Sequence, residues 1–192
     1  MAGEHESVEL VGDEAVEYFA KAVLIAALTA ALAQVSIPVP GTSVPFSLQP
    51  FGAFFAGLLL GPVWGGLAMA LYLLAGAAGA PVYSNGGAGL GHLFGSTGGF
   101  LVGFLVGAVV IGGLAHRSVV PRTPDDVSVP IQVGALVAGL VIIYAVGITW
   151  MATVTGLSLT RAAAVMAPFV PPDVVKLLVA VGVVRGGYLV RG

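Results

Sequence analysis

This chain contains no cysteine. Disulfide staples, thiolate metal sites and a cysteine nucleophile are excluded together. Charge is almost as scarce: Asp, Glu, Lys and Arg make up 8% of the 192 residues. That is too little to coat a water-soluble domain of this size. The 7 basic residues are scattered, so no basic patch is available for nucleic acid. No Gly-Lys-Ser or Gly-Lys-Thr occurs, which excludes a phosphate-cradling loop and ATP hydrolysis by the chain itself. Of the 3 histidines, His92 and His116 have no second ligand near them in sequence and His5 lies apart near the N-terminus, so no metal and no cofactor are expected.

What is present is apolar. Hydrophobic residues make up 58% of the chain, and the mean hydropathy is +1.04. The composition predicts a multi-pass protein embedded in a lipid bilayer. Six apolar stretches cover residues 19–37, 50–60, 63–78, 92–115, 131–155 and 169–189. A spanning helix needs about 20 such residues. The second and third stretches are short, and Gly61-Pro62 separates them, which predicts two helices meeting at a tight turn. The expected fold is an all-α integral membrane protein with six transmembrane helices in one domain, residues 19–192. Residues 1–18 read as an acidic cytoplasmic tail carrying Glu4, Glu6, Glu9, Asp13, Glu14 and Glu17. Without a basic n-region, this is not a secretory signal. Lys21, Arg117, Arg122, Arg185 and Arg191 fall on one side of the alternating spans and Arg161 on the other. The positive-inside rule then puts both termini in the cytoplasm.

That topology gathers three outer segments, residues 38–49, 80–91 and 156–172. The first holds Pro38, Pro40 and Pro45 among alternating apolar residues and predicts a rigid cap over a cavity. The second is rich in glycine, which allows close backbone approach, and Asn85 there offers both a donor and an acceptor. Gly98 and Gly99 beyond it read as helix-packing positions. Trp150 suits an interfacial anchor. Tyr144 lies deeper, where its hydroxyl needs a partner.

Two ionisable residues, Asp173 and Lys176, stand inside the last apolar stretch, behind Pro171-Pro172. A charge at membrane depth costs on the order of 2.5–3.5 kcal/mol on insertion scales, so by default it marks a site. At i, i+3 the two share a helix face. Two readings stand: they neutralise each other, or they offer one cation and one anion to a ligand. On helix 1, Ala22, Ala26 and Ala30 repeat at i, i+4, the spacing that lets helices approach closely in lipid. Contact with another subunit and packing inside the chain's own bundle fit that pattern equally.

Together these pieces resemble the BioY family, the biotin-specific substrate-binding (S) components of energy-coupling factor (ECF) transporters. The resemblance runs from about Ala22 to Leu189. It is carried by Val44-Pro45-Phe46-Ser47-Leu48-Gln49, by the run from Tyr72 through Gly76 to Pro81-Val82-Tyr83, and by Gly95-Ser96-Thr97-Gly98-Gly99-Phe100. Tyr144-Ala145-Val146-Gly147 and Pro168-Phe169-Val170-Pro171-Pro172-Asp173-Val174-Val175-Lys176 complete it. The family usually has Gly-Pro-Thr-Gly-Gly-Tyr at the third piece and Pro-Gly-Asp before the aspartate. Neither departure removes a charged group.

The resemblance implies capture of biotin from outside, driven by a transmembrane coupling protein (the T component) and a pair of ATPases. Ala22, Ala26 and Ala30 then become an expected contact with the coupling protein. Asp173, Lys176 and Asn85 are the expected substrate-binding residues, with Gln49 and Tyr144 beside them. An S component for a different vitamin and a solitary biotin carrier are the alternatives. An intramembrane enzyme is not expected, because Asp173 has no second carboxylate at its depth and no Ser/His arrangement accompanies it.

Overall fold

The computed structural model describes residues 12–187. Helices dominate: α1 (Asp13–Gln34), α2 (Pro50–Ala77), α3 (Gly89–Leu93), α4 (Gly98–His116), α5 (Val129–Thr155), α6 (Leu159–Met166) and α7 (Val170–Arg185). One short antiparallel ribbon, β1 (Ser36–Ile37) with β2 (Phe46–Ser47), pairs Ser36 with Ser47 and Ile37 with Phe46. Among the described residues, five helical runs can cross a bilayer by length and composition: Asp13–Gln34, Pro50–Ala77, Gly98–His116, Val129–Thr155 and Leu159–Arg185. Large apolar side chains stand bare on their flanks, Leu24 at 68% exposure and Leu74 at 65%. Lipid, not water, suits such a surface.

α2 is broken where the sequence predicts it. Gly61 takes φ 70° and ψ −171°, and Pro62 follows without an N–H. The limbs fold back on each other. A Cβ built on Gly65 would lie 2.6 Å from the carbonyl oxygen of Ala56, whereas nine residues of straight helix span about 13 Å. At the open end, the Gln49 amide donates to the Tyr72 hydroxyl, across what a straight helix would stretch to about 34 Å. Pro62 leaves the Leu58 carbonyl without its helical donor. The imidazole of His116, fully buried at the end of α4, takes that place: Nε2 lies 3.0 Å from Leu58 O and 3.2 Å from Gly57 O. Its Nδ1 accepts from Arg122 N–H at 2.9 Å, which makes Nε2 the protonated nitrogen.

The core is built on close backbone approach. α4 packs between α2 and α5, and α1 packs on α2. A Cβ at Gly57 would lie 2.6 Å from Ile111 Cβ and 2.8 Å from Ala108 O. At Gly112 it would meet the backbone of Gly61 and Pro62. Lipid tails supply no hydrophobic drive between helices, so small residues and dense packing hold such bundles together.

Several expectations shift. α1 starts at Asp13, so Asp13, Glu14 and Glu17 lie on its first turns. Glu4, Glu6 and Glu9 lie outside the described residues. The long helix of the fourth apolar stretch, α4, begins at Gly98, not His92, because the chain breaks after the short α3. A Cβ at Gly98 would collide with the carbonyl of Leu93, so only glycine admits this tight re-entry. The alanine ladder of α1 divides. Ala22 is fully buried within the bundle. Ala26 and Ala30 are part-buried against the core.

Candidate substrate-binding cavity

α7 carries Asp173 and Lys176 on its buried face, with Leu177, Ala180, Val181 and Val184 continuing the stripe. Pro171 and Pro172 occupy the first turn, where a missing N–H is harmless. The face is set by helical period, so both ionisable groups point into the bundle. They are 7% and 5% exposed.

The two side chains do pair: Lys176 Nζ donates to Asp173 Oδ1 at 2.7 Å. Each also holds a second partner. Lys176 Nζ donates to the Ser47 carbonyl at 2.6 Å and sits 4.1 Å from the Phe46 ring centroid, a cation–π contact. Asp173 Oδ2 accepts from the Tyr144 hydroxyl at 2.8 Å. An ammonium has three N–H donors and a carboxylate about four acceptor sites. One donor and roughly two acceptor sites therefore remain.

They face a cavity of about 260 Å³. Gln49, Asn85, Tyr144, Asp173 and Lys176 all line it. The structure thus brings together the five residues that the sequence singles out. The apolar wall comes from Phe100, Leu101, Phe104, Ile143, Met166 and Phe169. The volume lies just below the usual range of small-molecule pockets, which begins near 300 Å³.

The strap over the cavity is the segment predicted as a cap. Ser43, Val44, Pro45 and Ser47 line its interior side, and Lys176 ties the strap to α7. Gln49 is 5% exposed and works as a junction. Its Oε1 accepts from the Ser84 and Ser47 hydroxyls, and Nε2 donates to Tyr72, whose hydroxyl donates to Val82 O. The strap and the glycine-rich segment are locked together there. Asn85 is exposed at the rim in a left-handed conformation, φ 57°, and its Oδ1 accepts from Ser36 Oγ at 2.6 Å. Its amide NH₂ has no partner among the described residues.

Sequence reasoning missed several contributors. His92 lines the cavity and stacks on Tyr83 at 5.1 Å between centroids. Burial holds its imidazole below the ordinary histidine range, so it is neutral near pH 7. Burial pushes the Tyr83 phenol up. Phe100 meets Tyr144 edge-on at 6.3 Å, and Gly147 makes room for that ring. Trp150, read as an interfacial anchor, donates from Nε1 to Gly95 O at 2.9 Å and braces the re-entry before α4. A Cβ at Gly99 would strike Trp150, in keeping with a packing role. Ser47 contributes through its carbonyl, which no side-chain pattern reveals.

The BioY family model matches residues 6–190. The chain belongs to the BioY family. Among the curated relatives of this BioY chain is the biotin transporter of Rhodobacter capsulatus, 41% identical over 165 residues, which cover 81% of this chain and 85% of that one. The biotin transporter of Rhizobium etli is also 41% identical, over 71% of this chain and 74% of its own. That of Thermotoga maritima is 40% identical, over 83% and 89%. The solved structure of the S-component for biotin from an ECF-type ABC transporter superposes with TM-score 0.82 over 92% of this chain and 93% of that one, at 23% identity. At that identity the likeness speaks for the fold. The family and its named members are transporters, not enzymes.

Proposed function

We propose that this chain takes up biotin, binding it from the outer face in the cavity beneath the strap, as the S component of an ATP-driven ECF transporter. The carrying observation is the convergence of Asp173, Lys176, Asn85, Gln49 and Tyr144 on one small, mostly apolar cavity. Biotin has an apolar bicycle, a ureido group and a carboxylate. Asp173 accepts from ureido N–H, and the spare N–H of Lys176 meets an oxygen of the ligand. The Asn85 amide bonds a polar end at the rim. Gln49 and Tyr144 act by holding the strap and the Asp173 carboxylate. Phe100, Phe104 and Phe169 cover the bicycle. In that assembly a T component and an ATPase pair drive inward release, since the chain has no Gly-Lys-Ser or Gly-Lys-Thr loop of its own.

The broken α2 supports counting six membrane-crossing helices. Its limbs, residues 50–60 and 62–77, are about 16 and 24 Å long at 1.5 Å per residue, short of a hydrocarbon core of about 30 Å. The strap completes the first crossing, since irregular backbone is tolerated at depth where it lines a cavity. Lys21 and Arg122 cluster at the hairpin tip, away from the cavity, so that end faces the cytoplasm of a cell membrane. With no native cysteine, Ser43→Cys should react with an impermeant maleimide from outside. Val63→Cys and Ser118→Cys should react only from inside.

The functional test is equilibrium binding of biotin to the purified chain in detergent, with riboflavin and thiamine beside it. Saturable binding of biotin alone is expected. Saturable binding of another vitamin without biotin would assign a different substrate. Co-purification with T and ATPase subunits separates the coupled transporter from a solitary carrier.

A further inference from the structure

A second groove lies at the hairpin-tip end of the bundle, where α1 meets Leu59, Leu60 and the loop after α4. Its volume is about 670 Å³. Lys21 and Arg122 line it together with Leu24, Leu28 and Leu59. We propose that this groove binds one anionic phospholipid, its phosphodiester meeting Lys21 and Arg122 and an acyl chain lying along Leu24 and Leu28.

Four observations point to lipid. First, Tyr18 on the groove wall stacks on Trp64 at 5.8 Å between centroids, and such aromatics mark the headgroup level of a bilayer. Second, two cations face one carboxylate. Glu17 bonds Lys21, but those side chains are 62% and 48% exposed, and an exposed pair of this kind is weak. Among the described residues no carboxylate lies within 4.0 Å of the Arg122 guanidinium. Third, the basic loop is held in place. Arg122 N–H is fixed on His116 Nδ1 at 2.9 Å, Pro121 precedes it, and Pro124 is buried. Fourth, the apolar wall runs into the bare flank of α1, where Leu24 is 68% and Val23 43% exposed. A cationic mouth over an apolar slot at headgroup depth matches a phospholipid's own division into anionic head and tail. This binding is independent of the vitamin assigned to the cavity.

The test is native mass spectrometry of the full chain released from nanodiscs of mixed phosphatidylcholine and phosphatidylglycerol. One phosphatidylglycerol should be retained in preference to phosphatidylcholine. Lys21→Gln with Arg122→Gln should lower that retention roughly thirty-fold, the effect of two surface charges. Arg161→Gln should leave it unchanged. Added salt should strip the lipid from the parent chain, a readout that needs no variant to fold. Equal retention of the two lipids, salt-insensitive retention, or retention that survives the double variant would overturn the proposal. So would a double variant that keeps its lipid but loses a co-purifying protein, which would make the groove a protein-docking surface.

Discussion

Replacing Lys176 by methionine tests whether the buried pair acts as one unit. The substitution keeps volume and removes three interactions: the 2.7 Å bond to Asp173, the 2.6 Å bond to Ser47 O and the cation over Phe46. Asp173 keeps only Tyr144. A hydrogen bond to a charged group is worth about 1.5–3 kcal/mol, so biotin affinity should fall roughly 10- to 150-fold. Asp173→Asn should cost about the same, because it strands the ammonium. The double variant is the decisive member. If the two groups grip biotin separately, their losses multiply to roughly a hundred- to twenty-thousand-fold. If each works only with its partner in place, the double variant loses little more than either single one. The structure favours the second outcome, with a coupling energy of up to about 3 kcal/mol. Isothermal titration calorimetry on the four proteins reads all three differences. Should both single variants bind biotin as the parent does, the pair is structural and the site is misplaced.

Tyr144→Phe removes one donor from Asp173 and should weaken biotin about fivefold in the same titration, from a net hydrogen bond of about 1 kcal/mol. An unchanged affinity would mean that Asp173 does not need its orienting partner. Gly112→Ala drives a methyl into the backbone of Gly61 and Pro62, which cannot rotate away. The apparent Tm in detergent should drop, by the equivalent of about 1–3 kcal/mol of overpacking; no drop would deny that the hairpin tip packs on α4. His116→Leu should destabilise by about 1–3 kcal/mol, because it leaves the buried Leu58 carbonyl without a donor. His116→Gln should restore part of the loss. Equal Tm values for the two variants would argue against a capping role.

The sequence alone was enough wherever the physics is local. Scarce charge and long apolar runs imply a bilayer whatever the packing. Gly61-Pro62 breaks a helix by its own chemistry, and the limbs do fold back. A spacing of three residues puts Asp173 and Lys176 on one helix face in any context. The cost of charge in lipid turns that face inward. Tertiary structure decided what depends on the neighbouring element. Helical period gives a ladder of alanines but not the direction in which it looks. Ala22 faces the chain's own core, and small residues suit either kind of contact. The long helix α4 starts at Gly98 rather than His92 because the chain breaks after α3 and re-enters past the Leu93 carbonyl, where only glycine fits; that depends on the path of the chain. Gln49 proved to be a junction between two outer segments, since Tyr72 and Ser84 reach it only in the fold. The second anchor of Lys176 is a backbone carbonyl 129 residues away. Every residue carries the same carbonyl, so sequence cannot mark which one the ammonium will find. Packing alone selects Ser47.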